Sequence, residues 1–184
     1  MTKDYNILEE FCVSFCKIID KYTDYIVVSG FFVISSGRTR ATEDIDIIIK
    51  PLDLDKFILM HKDLEKANFE CLQDSNPNKI YTNYLIKNIA VRYFRGTDFI
   101  PNIELKFAKD ELDYYQLKNR KKIEFTGIDV FFSSVEACIA FKEELLQSPK
   151  DIEDANYLKV VYSDYIIKDE IIKIKKMIKK YRLR

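Results

Sequence analysis

Val27-Val28-Ser29-Gly30, followed after a short arginine-bearing segment by Thr42-Glu43-Asp44-Ile45-Asp46-Ile47-Ile48-Ile49, is the stretch on which the fold turns. Its second half reads as a strand, because the isoleucines form an almost unbroken β-branched run. Strand side chains alternate between faces, so Asp44 and Asp46 project together while Ile45 and Ile47 point the other way. Two carboxylates on so apolar a strand call for a cation, since burying an unpaired carboxylate is strongly unfavourable. Hard carboxylate oxygens at this spacing suit magnesium, which takes one or two carboxylates, keeps several waters and completes its shell with phosphate oxygens. The first half offers a place for such phosphates. An apolar strand from Tyr25 to Val28 runs into Ser29-Gly30 and then a helix-like segment from Phe31 to Ser35. Glycine at that junction admits a close approach to the backbone, and free amides at a helix start favour anions. Asp-x-Asp alone also arises on solvent-facing strand edges, and Ser-Gly alone in ordinary turns. Their combination, one strand apart, points to a metal seat beside a phosphate seat.

Val28-Ser29-Gly30, the Arg38-Thr39-Arg40-Ala41-Thr42 turn and Asp44-Ile45-Asp46 resemble the signature of the polymerase-β-type minimal nucleotidyltransferase superfamily. The branch they look most like includes the nucleotidyltransferase toxins of abortive-infection (type IV) toxin–antitoxin systems. The likeness continues to about residue 160, through Glu136-Ala137-Cys138-Ile139-Ala140-Phe141-Lys142 and Pro149-Lys150-Asp151-Ile152-Glu153-Asp154. It implies transfer of a nucleoside monophosphate from a nucleoside triphosphate (NTP) to a hydroxyl of RNA such as tRNA, of a protein, or of a small molecule such as an antibiotic. Two magnesium ions, or manganese in their place, are the implied cofactors, and a cognate antitoxin protein is an implied partner. The resemblance also implies a third carboxylate on a neighbouring strand. Glu104, within Ile103-Glu104-Leu105-Lys106-Phe107, fits that place, and Asp98 in a Gly96-to-Pro101 loop is its rival. Asp44, Asp46 and Glu104 are then both the catalytic residues and the metal ligands. Ser29 and Gly30 would hold phosphates, with Arg38, Arg40, Thr42, Lys142 and Lys150 as further nucleotide contacts. Ser29 departs from the many relatives that carry glycine before Gly30. The competing reading is a nucleotide- or partner-binding module that keeps the fold without turnover.

The chain has 184 residues, 47% of them hydrophobic, enough for a substantial core without division into independent domains. We expect an α+β fold: a mixed-sheet nucleotidyltransferase core over residues 1–132 flanked by helices, with a helical C-terminal subdomain over residues 133–184 packed on it. Thirty basic residues balance thirty acidic ones, so any surface that attracts nucleic acid must be local. No apolar run approaches a membrane span, and the polar start Met1-Thr2-Lys3-Asp4 does not read as a secretory signal. Four cysteines without a metal-finger spacing predict reduced thiols in a cytoplasm, with Cys12 and Cys16 one helical turn apart in the core.

Leu8, Phe11, Cys12, Phe15, Ile19 and Tyr22 predict a first amphipathic helix, and Pro51 and Asp53 open a second that runs to about Ala67 and carries His61 on its surface. Phe69 to Leu72, Lys79 to Ile86, Ile89 to Tyr93 and Ile103 to Phe107 read as strands, Lys122 to Phe131 as a hairpin, and the chain from Ser134 as about three helices. In the last of these, Ile167, Ile171, Ile174, Ile178 and Tyr181 form one stripe. Lysines occupy the other faces, Lys175, Lys176 and Lys179 among them. With Lys118, Arg120, Lys121 and Lys122 they form a candidate basic surface for an RNA acceptor.

Overall fold

The computed structural model of the chain describes residues 5–42, 44–96 and 98–183, with the backbone alone at residues 98 and 99. The isoleucine run is β2 (Asp44–Ile49), and the apolar strand before it is β1 (Tyr25–Val28). They pair antiparallel. β5 (Asp98–Phe107) lies parallel to β2 on its other side, and β4 (Val91–Arg95) and β3 (Phe69–Cys71) follow antiparallel. The result is a five-stranded mixed sheet of order β1-β2-β5-β4-β3.

Period-two alternation divides the residues of β2 between two layers. Ile45, Ile47 and Ile49 enter one buried cluster with Phe15 of α1 (Ile7–Ile19) and Phe57 of α3 (Leu54–Lys66). Ile48, on the opposite face, meets Ile26, Ala108 and Leu117 of α5 (Glu111–Lys118). The C-terminal helices join the larger cluster through Ile139 of α6 (Val135–Phe141), Leu158 of α7 (Pro149–Val161) and Ile174 of α8 (Lys168–Arg182). Fully burying such side chains contributes roughly 1.5–3 kcal/mol each. The stripe expected on α8 is the one that is buried, through Ile171, Ile174 and Ile178. Helix starts follow their polar caps. Asn6 and Glu9 form a reciprocal capping box on α1, Asp53 accepts from the Lys56 amide at 2.9 Å, and Ser134 accepts from the Ala137 amide at 3.1 Å. The architecture is α+β, as the sequence predicts.

Several local expectations are overturned. Lys79 to Ile86 is not a strand: Asn76 accepts from the Asn78 amide at 2.9 Å and Pro77 takes the first helical position, so α4 (Pro77–Asn83) forms, followed by a 3-10 turn at Leu85–Lys87. The Lys122 to Phe131 hairpin is replaced by a 3-10 turn at Glu124–Thr126. There, Lys121 and Phe132 form an isolated bridge, and Phe132 also bridges to Val27 of β1. α5 was not expected, yet Asp110 caps it by accepting from the Leu112 and Asp113 amides. β5 starts at Asp98, inside the segment read as a loop. His61 is not on the surface. It is 1% exposed and shares a 2.8 Å hydrogen bond with the Tyr93 hydroxyl, and burial lowers its pKa. Cys12 and Cys16 are core residues, as expected.

Candidate active site

Strand register assembles the site. Val28, Asp46, Glu104 and Arg92 stand side by side across β1, β2, β5 and β4, so their side chains share one face of the sheet. Asp44 lies two residues before Asp46 on that face, opposite Asn102, and Ile48 lies two residues after it, opposite Lys106. A cavity of about 530 Å³ opens over this face, within the roughly 300–1,000 Å³ range of small-molecule sites. Ser29, Asp46, Glu104, Lys106 and Lys142 contribute to its wall, and Asp44 does not.

Electrostatics single out Asp46. Burial raises its pKa above the ordinary carboxylate range, and Glu104 and Asp44 push the same way, against the opposing pull of Lys106 and a hydrogen bond from the Ser29 hydroxyl. Glu104 faces Arg92 at 3.5 Å. Among the described residues no group of three or more His, Cys, Asp or Glu side chains is arranged to hold a metal ion. Asp44, Asp46 and Glu104 are therefore not a ready-made three-carboxylate cage. The donor chemistry nevertheless fits a hydrated magnesium ion, which needs only one or two protein carboxylates beside water and phosphate oxygens. The rival Asp98 has its side chain outside the described residues.

The expected phosphate seat has a distinctive backbone. Ser29 adopts φ 65° and ψ −135°, a conformation that glycine tolerates and serine resists. Gly30 begins α2 (Gly30–Ser35), and a Cβ there would collide with the Arg40 guanidinium and come within 3.2 Å of the Thr42 hydroxyl oxygen. Arg40 thus packs directly on Gly30, and its Nε is buried with no hydrogen-bond partner. Thr42 donates to the Asp44 carbonyl at 3.2 Å, fastening this turn to the head of β2.

The remaining expected contacts converge on α7. Asp154, fully buried, receives Arg38, Arg40 at 3.2 Å and Lys142 at 2.7 Å. Arg38 also pairs with Glu153 at 2.7 Å, and Lys142 with Asp151 at 3.0 Å. Burial works against the Lys142 charge, but Cys138, Asp154 and Asp151 outweigh it and hold the pKa above the ordinary lysine value. Arg38, Arg40 and Lys142 are thus brought together, already matched by carboxylates. Lys150 stands apart, exposed at the start of α7, where its carbonyl accepts from Arg38 at 3.5 Å.

Sequence reasoning missed Lys106, Arg92 and Asp154. Lys106 was within reach: two residues after Glu104 on a strand, it had to share the face of Glu104. Arg92 depends on the β4–β5 register, and Asp154 on a contact between α7 and the arginine turn; neither leaves a mark in the sequence.

No protein-family model and no curated protein matches the sequence. Solved structures do. An antigenic nucleotidyltransferase-like protein from Paracoccidioides brasiliensis superposes with a TM-score of 0.54 at 17% identity, over 96% of this chain and 88% of that one. ANT(2″)-Ia, solved in complex with adenylyl-2″-tobramycin, gives 0.55 at 13% identity, over 95% and 98%. A solution structure of the antibiotic-resistance factor ANT(2″)-Ia gives 0.52 at 11% identity, over 94% and 93%. The chain therefore has a nucleotidyltransferase-like fold.

Proposed function

We propose that the chain is a metal-dependent nucleotidyltransferase that moves a nucleoside monophosphate from an NTP to a hydroxyl acceptor. One observation carries this reading: Asp46 and Glu104 stand in register on adjacent strands, in a cavity that also takes in Ser29. Bound magnesium would supply charge neutralisation of the triphosphate and activation of the acceptor hydroxyl, held by Asp46 and Glu104 with Asp44 behind them. Gly30 leaves room for the Arg40 guanidinium, which would bring positive charge to phosphates seated at the start of α2. Ser29 orients the Asp46 carboxylate through its hydrogen bond. Lys142, held in place by Asp151 and Asp154, lends fixed positive charge to the cavity wall. Glu104, 3.5 Å from Arg92 and with its side chain 27% exposed, would accept the proton of the attacking hydroxyl.

The acceptor we infer is RNA, a tRNA being one fitting form. Its support is α8, where exposed Lys173, Lys176 and Lys180 border a shallow groove with Ile172 and Met177. Two lysines expected on that surface do other work: Lys175 pairs with Glu143 at 2.9 Å and Lys179 with Glu144 at 3.3 Å. A place in a toxin–antitoxin pair, with a cognate antitoxin as partner, rests on the sequence resemblance alone.

The test is incubation with magnesium, total RNA and each NTP labelled at the α- or the γ-phosphate. Label from the α position should reach RNA and label from the γ position should not. Label from neither position on RNA, protein or small molecules leaves the binding-module reading.

A further inference from the structure

We propose that Gln116 selects the nucleobase, its side-chain amide hydrogen-bonding the edge of a base seated against α5 in the cavity; this rests on the nucleotidyl-transfer reading above. The cavity takes in Ser29, Asp46, Ile48 and Lys106 and, on the side of α5, Gln116 and Ser133, the backbone amide of Ser133 donating to the Val27 carbonyl of β1 at 3.0 Å. With the leaving phosphates at the start of α2 and the reacting phosphorus at Asp46, the α5 side of the cavity is left for what stays bonded to that phosphorus or attacks it. Enclosure decides between the two. Gln116 and Ser133 are 4% and 3% exposed, too deep for the end of a polynucleotide yet accessible to a base carried in on its own triphosphate. Phe141 and Leu145 contribute apolar wall against which a flat ring can lie.

Among the described residues, the buried polar groups of the cavity wall are nearly all committed. Asp113 accepts from the Lys109 amide at 3.1 Å and from Arg182 at 2.8 Å, and Lys142 is held by Asp151 and Asp154. Gln116 is the exception. Its Oε1 accepts from the Ser133 hydroxyl at 3.0 Å, while its Nε2, buried, has no partner. A buried amide donor left unpaired is unfavourable, so this side of the cavity favours a base that presents an acceptor, a carbonyl oxygen or an unprotonated ring nitrogen, over one that presents an amino group.

The experiment is equilibrium binding of MgATP, MgGTP, MgCTP, MgUTP and magnesium tripolyphosphate to the full chain and to Gln116→Met and Gln116→Glu. The parent should rank the four nucleotides unequally. Gln116→Met should weaken the preferred one by roughly 5- to 20-fold and flatten the ranking. Gln116→Glu, which replaces the donor by an acceptor at the same size, should shift preference toward an amino-bearing base. Tripolyphosphate should bind all three proteins alike, which also reports that the variants are folded. Unchanged ranking in both variants overturns the role of Gln116 while leaving nucleotidyl transfer standing. A parent that binds no nucleotide overturns both.

Discussion

Ser29 holds a backbone conformation that its Cβ disfavours, and in return its hydroxyl reaches Asp46. Strain of this kind is worth on the order of 1–3 kcal/mol. Ser29→Gly should therefore be more stable than Ser29→Ala by about that amount in urea unfolding, since both lose the hydroxyl and only glycine relieves the backbone. Equal stabilities would mean that the strand-to-helix turn is not strained. Asp46 carries a different tension. Because burial and its acidic neighbours raise its folded pKa, the folded state binds a proton that the unfolded state has already released. Between the ordinary aspartate pKa and the raised value, stability therefore falls as pH rises. Asp46→Asn should remove that slope and leave the metal-free protein more stable at neutral pH while abolishing transfer. Thermal melts across pH 3 to 8 in chelator would show it; a variant less stable than the parent at pH 7 would contradict the assignment.

Asp154 shows what an element contributes that a motif cannot. α7 delivers this one buried carboxylate to three cations from two distant segments, and removing the charge takes a partner from each, leaving Arg38 to Glu153 and Lys142 to Asp151. Loss of one partner from a buried ionic cluster costs about 3–5 kcal/mol, so Asp154→Asn should lower stability by that order in denaturant titration. A loss near zero would mean that the cations are solvated. On α8, Lys176→Glu with Lys180→Glu should weaken RNA binding and its salt dependence. Lys175→Glu with Lys179→Glu should instead loosen the π-helical turn Lys142–Leu146, which Glu143 and Glu144 tie to α8. Filter binding and melting of both pairs would separate the roles, and the reverse pattern would contradict them. The strands of the sheet and the helices of the core were legible where hydrophobic period and caps agree, as in α1, α3 and β2. Lys79 to Ile86 misled because Ile80, Tyr81 and Tyr84 suit a strand, and only the Asn76-Pro77 start decides for a helix. Asp46 and Glu104 were legible as candidates, whereas their row with Arg92 exists only once the strands are paired.

At the scale of the whole molecule, the C-terminal helices share the core of the sheet, and residues of α6, the turn after it and Arg182 of α8 line the cavity, so Asp46, Glu104, Ser29 and Gln116 open on one space. A neutral overall charge leaves the acceptor to be drawn by local surface, and among the described residues no helix is long and apolar enough to cross a membrane. In the proposed reaction, Asp46 and Glu104, beside Ser29 and the Gly30 turn, are the centre of nucleotidyl transfer. Magnesium-dependent pyrophosphate release from NTP in the presence of RNA, compared between the parent, Asp46→Asn and Glu104→Gln, tests it most directly. The parent should release pyrophosphate in step with the label transferred to the acceptor, and each variant should fall by roughly 100-fold or more. Release that persists undiminished in Asp46→Asn would contradict it.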